Sequence, residues 1–204
     1  MTTIRKEDYI TSNTAIENCK LSKENVLRIV KTEKLNESDI NSIAFLKDFT
    51  FHNGRIEVDI LSRLLKDAPD YARGFAGIAF RVKEDASAFE SFYVRPANGR
   101  NCTDPVRRQH GCQYFSYPKY TFSYFREKGI TDYEAKTDIG LNEWIHIRAD
   151  IHNEKAQFYV NDMTTPVLNV TDLKYESDIS GSVGFFLDTG TEAFIKNLEI
   201  NKED

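Results

Sequence analysis

The apolar residues of this chain return at every second position, segment after segment. That period belongs to strands with one buried face. Ile56, Val58 and Ile60 alternate with Arg55, Glu57 and Asp59, and Ile145, Ile147, Ala149 and Ile151 with Trp144, His146, Arg148 and Asp150. The same rhythm runs through Ile78, Phe80 and Val82 against Gly77, Ala79 and Arg81, and through Phe92 and Val94 against Ser91, Tyr93 and Arg95. Ala156, Phe158 and Val160, then Val183, Phe185 and Leu187, repeat it, and Phe194, Leu198 and Ile200 close the chain. Turn residues stand between the runs, at Asn53-Gly54, His152–Lys155, Asn161-Asp162 and Gly181. Many short strands so punctuated predict an all-β domain, a sandwich or barrel, and not a parallel α/β sheet. The helical candidates, Leu61–Lys66 and Glu37–Ile43, are too short to form a layer.

All 204 residues fit one such domain, with a core over about 14–201 and residues 1–13 expected as a loose tail. A net charge of −5 argues against nucleic acid and anionic membranes as partners, and no apolar run approaches the roughly 18 residues that span a bilayer. The first residues lack the apolar stretch of a secretory signal, which places the chain in the cytoplasm unless a leader has been trimmed. Cys19, Cys102 and Cys112 have no metal-type spacing and read as free thiols, with a Cys102–Cys112 bridge as the alternative. The four histidines are dispersed, so no cofactor is expected beyond a structural calcium ion of the kind that loop oxygens can hold.

The alternation lapses between Pro96 and about Ile139. Residues 95–128 carry seven positive side chains against two negative ones, in a chain whose total is negative, and tyrosines crowd the same stretch. Long loops on a rigid sheet are where binding and catalysis usually sit.

Several segments here form a recognisable series. Phe92-Tyr93-Val94-Arg95-Pro96 is followed by Asn98-Gly99-Arg100, Pro105–His110, Gln113-Tyr114, Pro118, Arg126, Tyr133-Glu134 and Glu143-Trp144. Ala156–Asn161, Pro166–Leu168 and Phe194–Leu198 continue it. In order and spacing, from about Asp48 to Ile200, they resemble the 3-keto-disaccharide hydrolase-like domain family of the concanavalin A-like lectin/glucanase superfamily. The resemblance implies an antiparallel two-sheet jelly-roll sandwich with a concave, carbohydrate-handling sheet face; it does not by itself imply catalysis.

Sugars are held by flat apolar faces and by planar groups that hydrogen-bond hydroxyls. Arg81, Tyr93 and Arg95 are expected on one exposed strand face, with Gly77 and Ala79 leaving room above the sheet. Asn98, Arg100, Arg108, His110, Gln113, Tyr114 and Arg126 complete the ligand-binding candidates. Arg107, Arg108 and His110 form either an anion-attracting loop edge for a carboxylated or phosphorylated sugar, or a solvated charge run.

For hydrolysis, Glu57 and Asp59 point the same way from one strand and resemble an incomplete Glu-x-Asp-x-x-Glu glucanase signature, Ser62 standing where the last Glu belongs. The same residues also fit an ordinary strand opening. Glu134, matching the family pattern, is the other carboxylate candidate, with Asp104 behind it. Trp144 reads as a packing residue. The leading function is a lectin-like module with carbohydrate as its partner. A hydrolase or lyase acting on oxidised sugars is the alternative, and a structural or protein-interaction domain the third.

Overall fold

The computed structural model describes residues 5–175 and 178–203. Two antiparallel seven-stranded sheets face each other. The first runs β1 (Tyr9–Ser12), β4 (Ile43–Leu46), β13 (Ser182–Leu187), β6 (Ala76–Val82), β7 (Phe89–Val94), β8 (Cys112–Tyr117) and β9 (Glu134–Ala135). The second runs β12 (Leu168–Val170), β11 (Lys155–Val160), β10 (Trp144–His152), β5 (Asn53–Leu64), β14 (Thr191–Glu203), β3 (Glu24–Lys31) and β2 (Thr14–Leu21). This is the expected jelly-roll sandwich. Its core contains the predicted alternating residues: Ile56, Val58 and Ile60 from β5, Phe92 and Val94 from β7, and Ile145 to Ile151 from β10. Phe92 and Phe158 join the layers, their rings stacked with centroids 4.4 Å apart. Such a pair adds about 0.5–1.5 kcal/mol beyond its buried area.

Local features correct the sequence reading. Residues 9–12 are not a loose tail: they pair with β4, and Tyr9 packs on Phe185. The segment read as a short helix from Leu61 continues β5 to Leu64, and the stretch before β4 is turn and coil. The helix is elsewhere, at α1 (Phe122–Lys128), ended by Gly129 in the left-handed conformation at φ 65°. The three cysteines are free, and burial pushes the Cys112 thiol up to about 12.

Two irregularities reverse the facing of predicted residues. Between Ser182 and Gly184 the register with β6 slips, and Arg81 adopts φ 51°. An extra residue in one strand turns every side chain beyond it over. Val82 therefore leaves the inter-sheet core for the outer face, and Arg81 turns inward. In β14 the slip between Lys196 and Glu199, with Asn197 at φ 54°, lets Leu198 face the core while Phe194 packs outside with Val26 and Leu61.

The outer face of the first sheet carries a second apolar layer. Phe45, Phe89, Tyr93, Phe115 and Phe186 project from it and are covered by Phe125 of α1 and by neighbouring loops. Sheet faces that meet water are normally polar. This one is instead the floor of a recess.

Candidate functional site

A cavity of about 500 Å³ opens on that outer face. Its floor is made by Tyr93, Phe115 and Phe186, residues that strand alternation aims away from the sandwich. Phe75 and Tyr71 rise from the loop before β6, and Phe122 comes from the first turn of α1. Tyr71 is half exposed, held by a hydrogen bond from its hydroxyl to the Asn36 carbonyl at 3.2 Å.

The polar groups are held in place by one another. Arg95 follows Tyr93 on the same face, buried at 3% exposure. It donates to Glu134 Oε1 at 2.7 Å, to the Tyr93 hydroxyl at 2.6 Å, and to Gln113 Oε1. Tyr93 in turn donates to Gln113 Oε1 at 2.7 Å. Burial raises the Tyr93 phenol to about 12, against the pull of Arg95, so it stays a protonated donor. The second oxygen of Glu134 meets His110 Nδ1 at 2.5 Å. Asn98 donates to the His110 carbonyl at 3.0 Å and pins that loop.

Asp188, one residue beyond β13, also lines the cavity. It accepts from Lys31 Nζ at 2.8 Å and from the Thr189 backbone N–H at 2.7 Å. Burial lifts its carboxyl above the usual aspartate range, while Lys31 draws it partly back.

The sequence candidates divide sharply. Tyr93, Arg95, Asn98, His110 and Arg126 line the cavity. Gln113 and Glu134 lie in an adjoining recess of about 180 Å³, which shares His110, Phe122 and Arg126 with the cavity. Arg108 lines neither hollow, and Arg100 is spent outside them on Asp138 and Glu143 at 3.1 and 2.6 Å. Tyr114 points into the sandwich and donates to Glu90 at 2.6 Å. Arg81, expected beside Tyr93, is fully buried between the sheets. There it pairs with Glu90 at 3.2 Å and donates to the carbonyls of His52 and Asn153. Gly77 pairs with Tyr93 on one side and Phe186 on the other, both on the cavity floor, and the backbone of β7 is so near that a Cβ there would lie 2.1 Å from the Phe92 carbonyl oxygen.

Glu57 and Asp59 occupy the outer face of the other sheet, away from this cavity. A single imidazole lies between them, His146, at 3.1 Å from Glu57 and 2.7 Å from Asp59, and Asn197 donates to Asp59 at 2.7 Å. Trp144 is on that face too, half-buried beneath Lys196 Nζ at 4.3 Å. Among the described residues no group of three or more His, Cys, Asp or Glu side chains is placed to hold a metal ion.

Tyr71, Arg73, Phe75, Phe122, Phe186 and Asp188 were not among the sequence candidates. Alternation carried one step past Leu187 would have put Asp188 on the outer face with Phe186. Gly129, as a helix stop, would have marked α1. Nothing local marks Tyr71 or Arg73.

Neither a family-level sequence profile nor a characterised protein sequence matches this chain. Solved structures do. The carbohydrate binding module CBM66 from Bacillus subtilis superposes with a TM-score of 0.63 at 16% identity, covering 97% of this chain and 96% of that one. A Bacillus subtilis protein with a galectin-like fold gives 0.59 at 10% identity, covering 97% and 90%. A Parabacteroides distasonis protein, provisionally a glycosyl hydrolase, gives 0.55 at 13%, covering 98% and 90%. At such identities the similarity is one of fold, and by that measure the chain is a two-sheet jelly roll of the shape shared by these proteins.

Proposed function

We propose that the protein is a carbohydrate-binding module whose sugar site is the cavity on the outer face of the first sheet. The observation that carries this reading is the pairing of aromatic walls with fixed polar groups in one hollow. Phe75, Phe122 and Tyr71 offer faces to sugar C–H bonds, while His110, Arg126 and Asp188 stand where hydroxyls can be bonded. At about 500 Å³ the cavity falls within the range of small-ligand sites. The fold shared with a carbohydrate binding module and a galectin-like protein is consistent with it.

Binding is preferred over cleavage because the polar network is already engaged. Both oxygens of Glu134 are taken, by Arg95 and by His110, which makes this residue a brace for its neighbours. Glu57 and Asp59 belong to the other face. One observation favours the enzymatic alternative: the raised carboxyl of Asp188 has the character of a general acid. The two readings part in one experiment. An array of plant, bacterial and animal glycans selects the ligand, calorimetry gives its affinity, and chromatography follows the sugar. Binding lost in Tyr71→Ala and Phe122→Ala with the sugar recovered intact is the expected result. Product release that vanishes in Asp188→Asn while binding survives would establish cleavage instead. Silence across the array would count against both.

A further inference from the structure

Four arginines line the cavity; Arg95 is paired to Glu134 at 2.7 Å, which leaves Arg73, Arg107 and Arg126. The aspartates around them are already occupied. Asp104 accepts from the backbone N–H groups of Val106 and Arg107, at 2.9 and 3.1 Å. Asp39 accepts from the Ser123 N–H at 2.9 Å, and Asp188 is tied to Lys31 and Thr189.

The arginines are less well matched. Arg73 is half-buried, yet among the described residues its guanidinium donates only to main-chain carbonyls of its own loop, Asp70 at 2.6 Å and Ala72 at 2.7 Å. Its burial, followed by repulsion from Arg107, lowers its pKa. Arg107 reaches Asp104 at 3.4 Å through an exposed pair, which is worth little in water. Arg126 lies over the Phe122 ring, 5.1 Å from its centre, with no carboxylate within ion-pair distance among the described residues. A half-buried guanidinium beside another cation is an unfavourable arrangement that a ligand anion would relieve.

We infer that the cavity takes a sugar bearing an anionic substituent, with the sugar ring against Phe122 and Tyr71 and the anion among Arg73, Arg107 and Arg126. This rests on the cavity being the sugar site. Two sources offer that chemistry, the carboxylate of a uronic acid and a sulfate ester. A guanidinium fork receives either with paired hydrogen bonds.

Calorimetry at low and at near-physiological salt tests it with matched probes: oligogalacturonate, its methyl ester, a sulfated galactan and its desulfated form. The expected result is binding of one anionic probe at least tenfold tighter than of its neutral counterpart, weakened by salt. Arg73→Gln and Arg126→Gln would each remove about tenfold of that preference. Arg55→Gln, which deletes the same charge on the other sheet, would leave it intact. Equal affinity for charged and neutral probes, still lost in Phe122→Ala, would overturn this inference and leave the sugar site standing. A preference for the anion unchanged by the arginine variants would also overturn it. Binding of none of these probes, or binding indifferent to both the arginine and the aromatic variants, would overturn the anionic assignment, and the second of these the site as well.

Discussion

His110 Nδ1 and Glu134 Oε2 lie 2.5 Å apart, while the other oxygen of Glu134 is held by the buried guanidinium of Arg95. One carboxylate thus neutralises a cation in the wall and fixes a ring that lines both the cavity and its side recess. A buried charge left without its partner is costly.

Glu134→Gln is therefore expected to destabilise the domain by about 3–5 kcal/mol, the range for breaking a buried pair from one side. Urea unfolding checks it. A loss under about 1 kcal/mol would mean that Arg95 finds other compensation from Tyr93 and Gln113.

Arg81 and Glu90 pose the same problem inside the sandwich, where both side chains are fully buried. Glu90 also accepts from Tyr114 at 2.6 Å. Glu90→Gln is expected to cost about 3–5 kcal/mol in the same assay and to leave glycan affinity unchanged. A weakened affinity at preserved stability would return Arg81 to the binding site.

Gly77 offers a test of the sheet beneath the cavity. A Cβ there would stand 2.1 Å from the Phe92 carbonyl oxygen and 2.4 Å from Tyr93 Cα, both backbone atoms that cannot swing away. Gly77→Ala is expected to lower stability by about 1–3 kcal/mol, the cost of overpacking, readable as a fall in thermal midpoint. Gly129→Ala meets no neighbour within 4 Å and bears only the strain of its positive φ.

Asp188 links stability to pH. Burial raises its carboxyl on folding, so the protonated form favours the folded state. That contribution is complete below the ordinary aspartate value of 3.8 and is lost as pH climbs through the raised folded value. The stability of the wild type relative to Asp188→Asn should fall across that window, by about 1.4 kcal/mol for each unit of elevation. Chemical unfolding at a series of pH values measures it. A difference that grows with pH would mean that Lys31 dominates over burial.

The sandwich was legible because burial on one face writes a period of two into β5, β7, β10 and β11. The same rule aimed Tyr93 and Arg95 correctly out of the sandwich. It failed at Arg81, where the one-residue slip against β13 depends on pairing between strands a hundred residues apart and leaves no local mark. Phe115 and Phe186 alternate outward yet are buried, because α1 and the loops close over them. They are the floor of a second layer. Tyr71 and Arg73 reach the cavity from the loop before β6 and Asp188 from the turn after β13, so only the tertiary structure brings them together. Glu57 and Asp59 do share a strand face, as their spacing required, but it is the face of the other sheet.

Which sheet face receives the ligand is decided most directly by mapping amide chemical shifts during titration with the array-selected glycan. Perturbations are expected to centre on Tyr71, Arg73, His110, Phe122 and Asp188. Perturbations centred on Glu57, Asp59 and His146, with the cavity residues unmoved, would contradict the cavity as the sugar site.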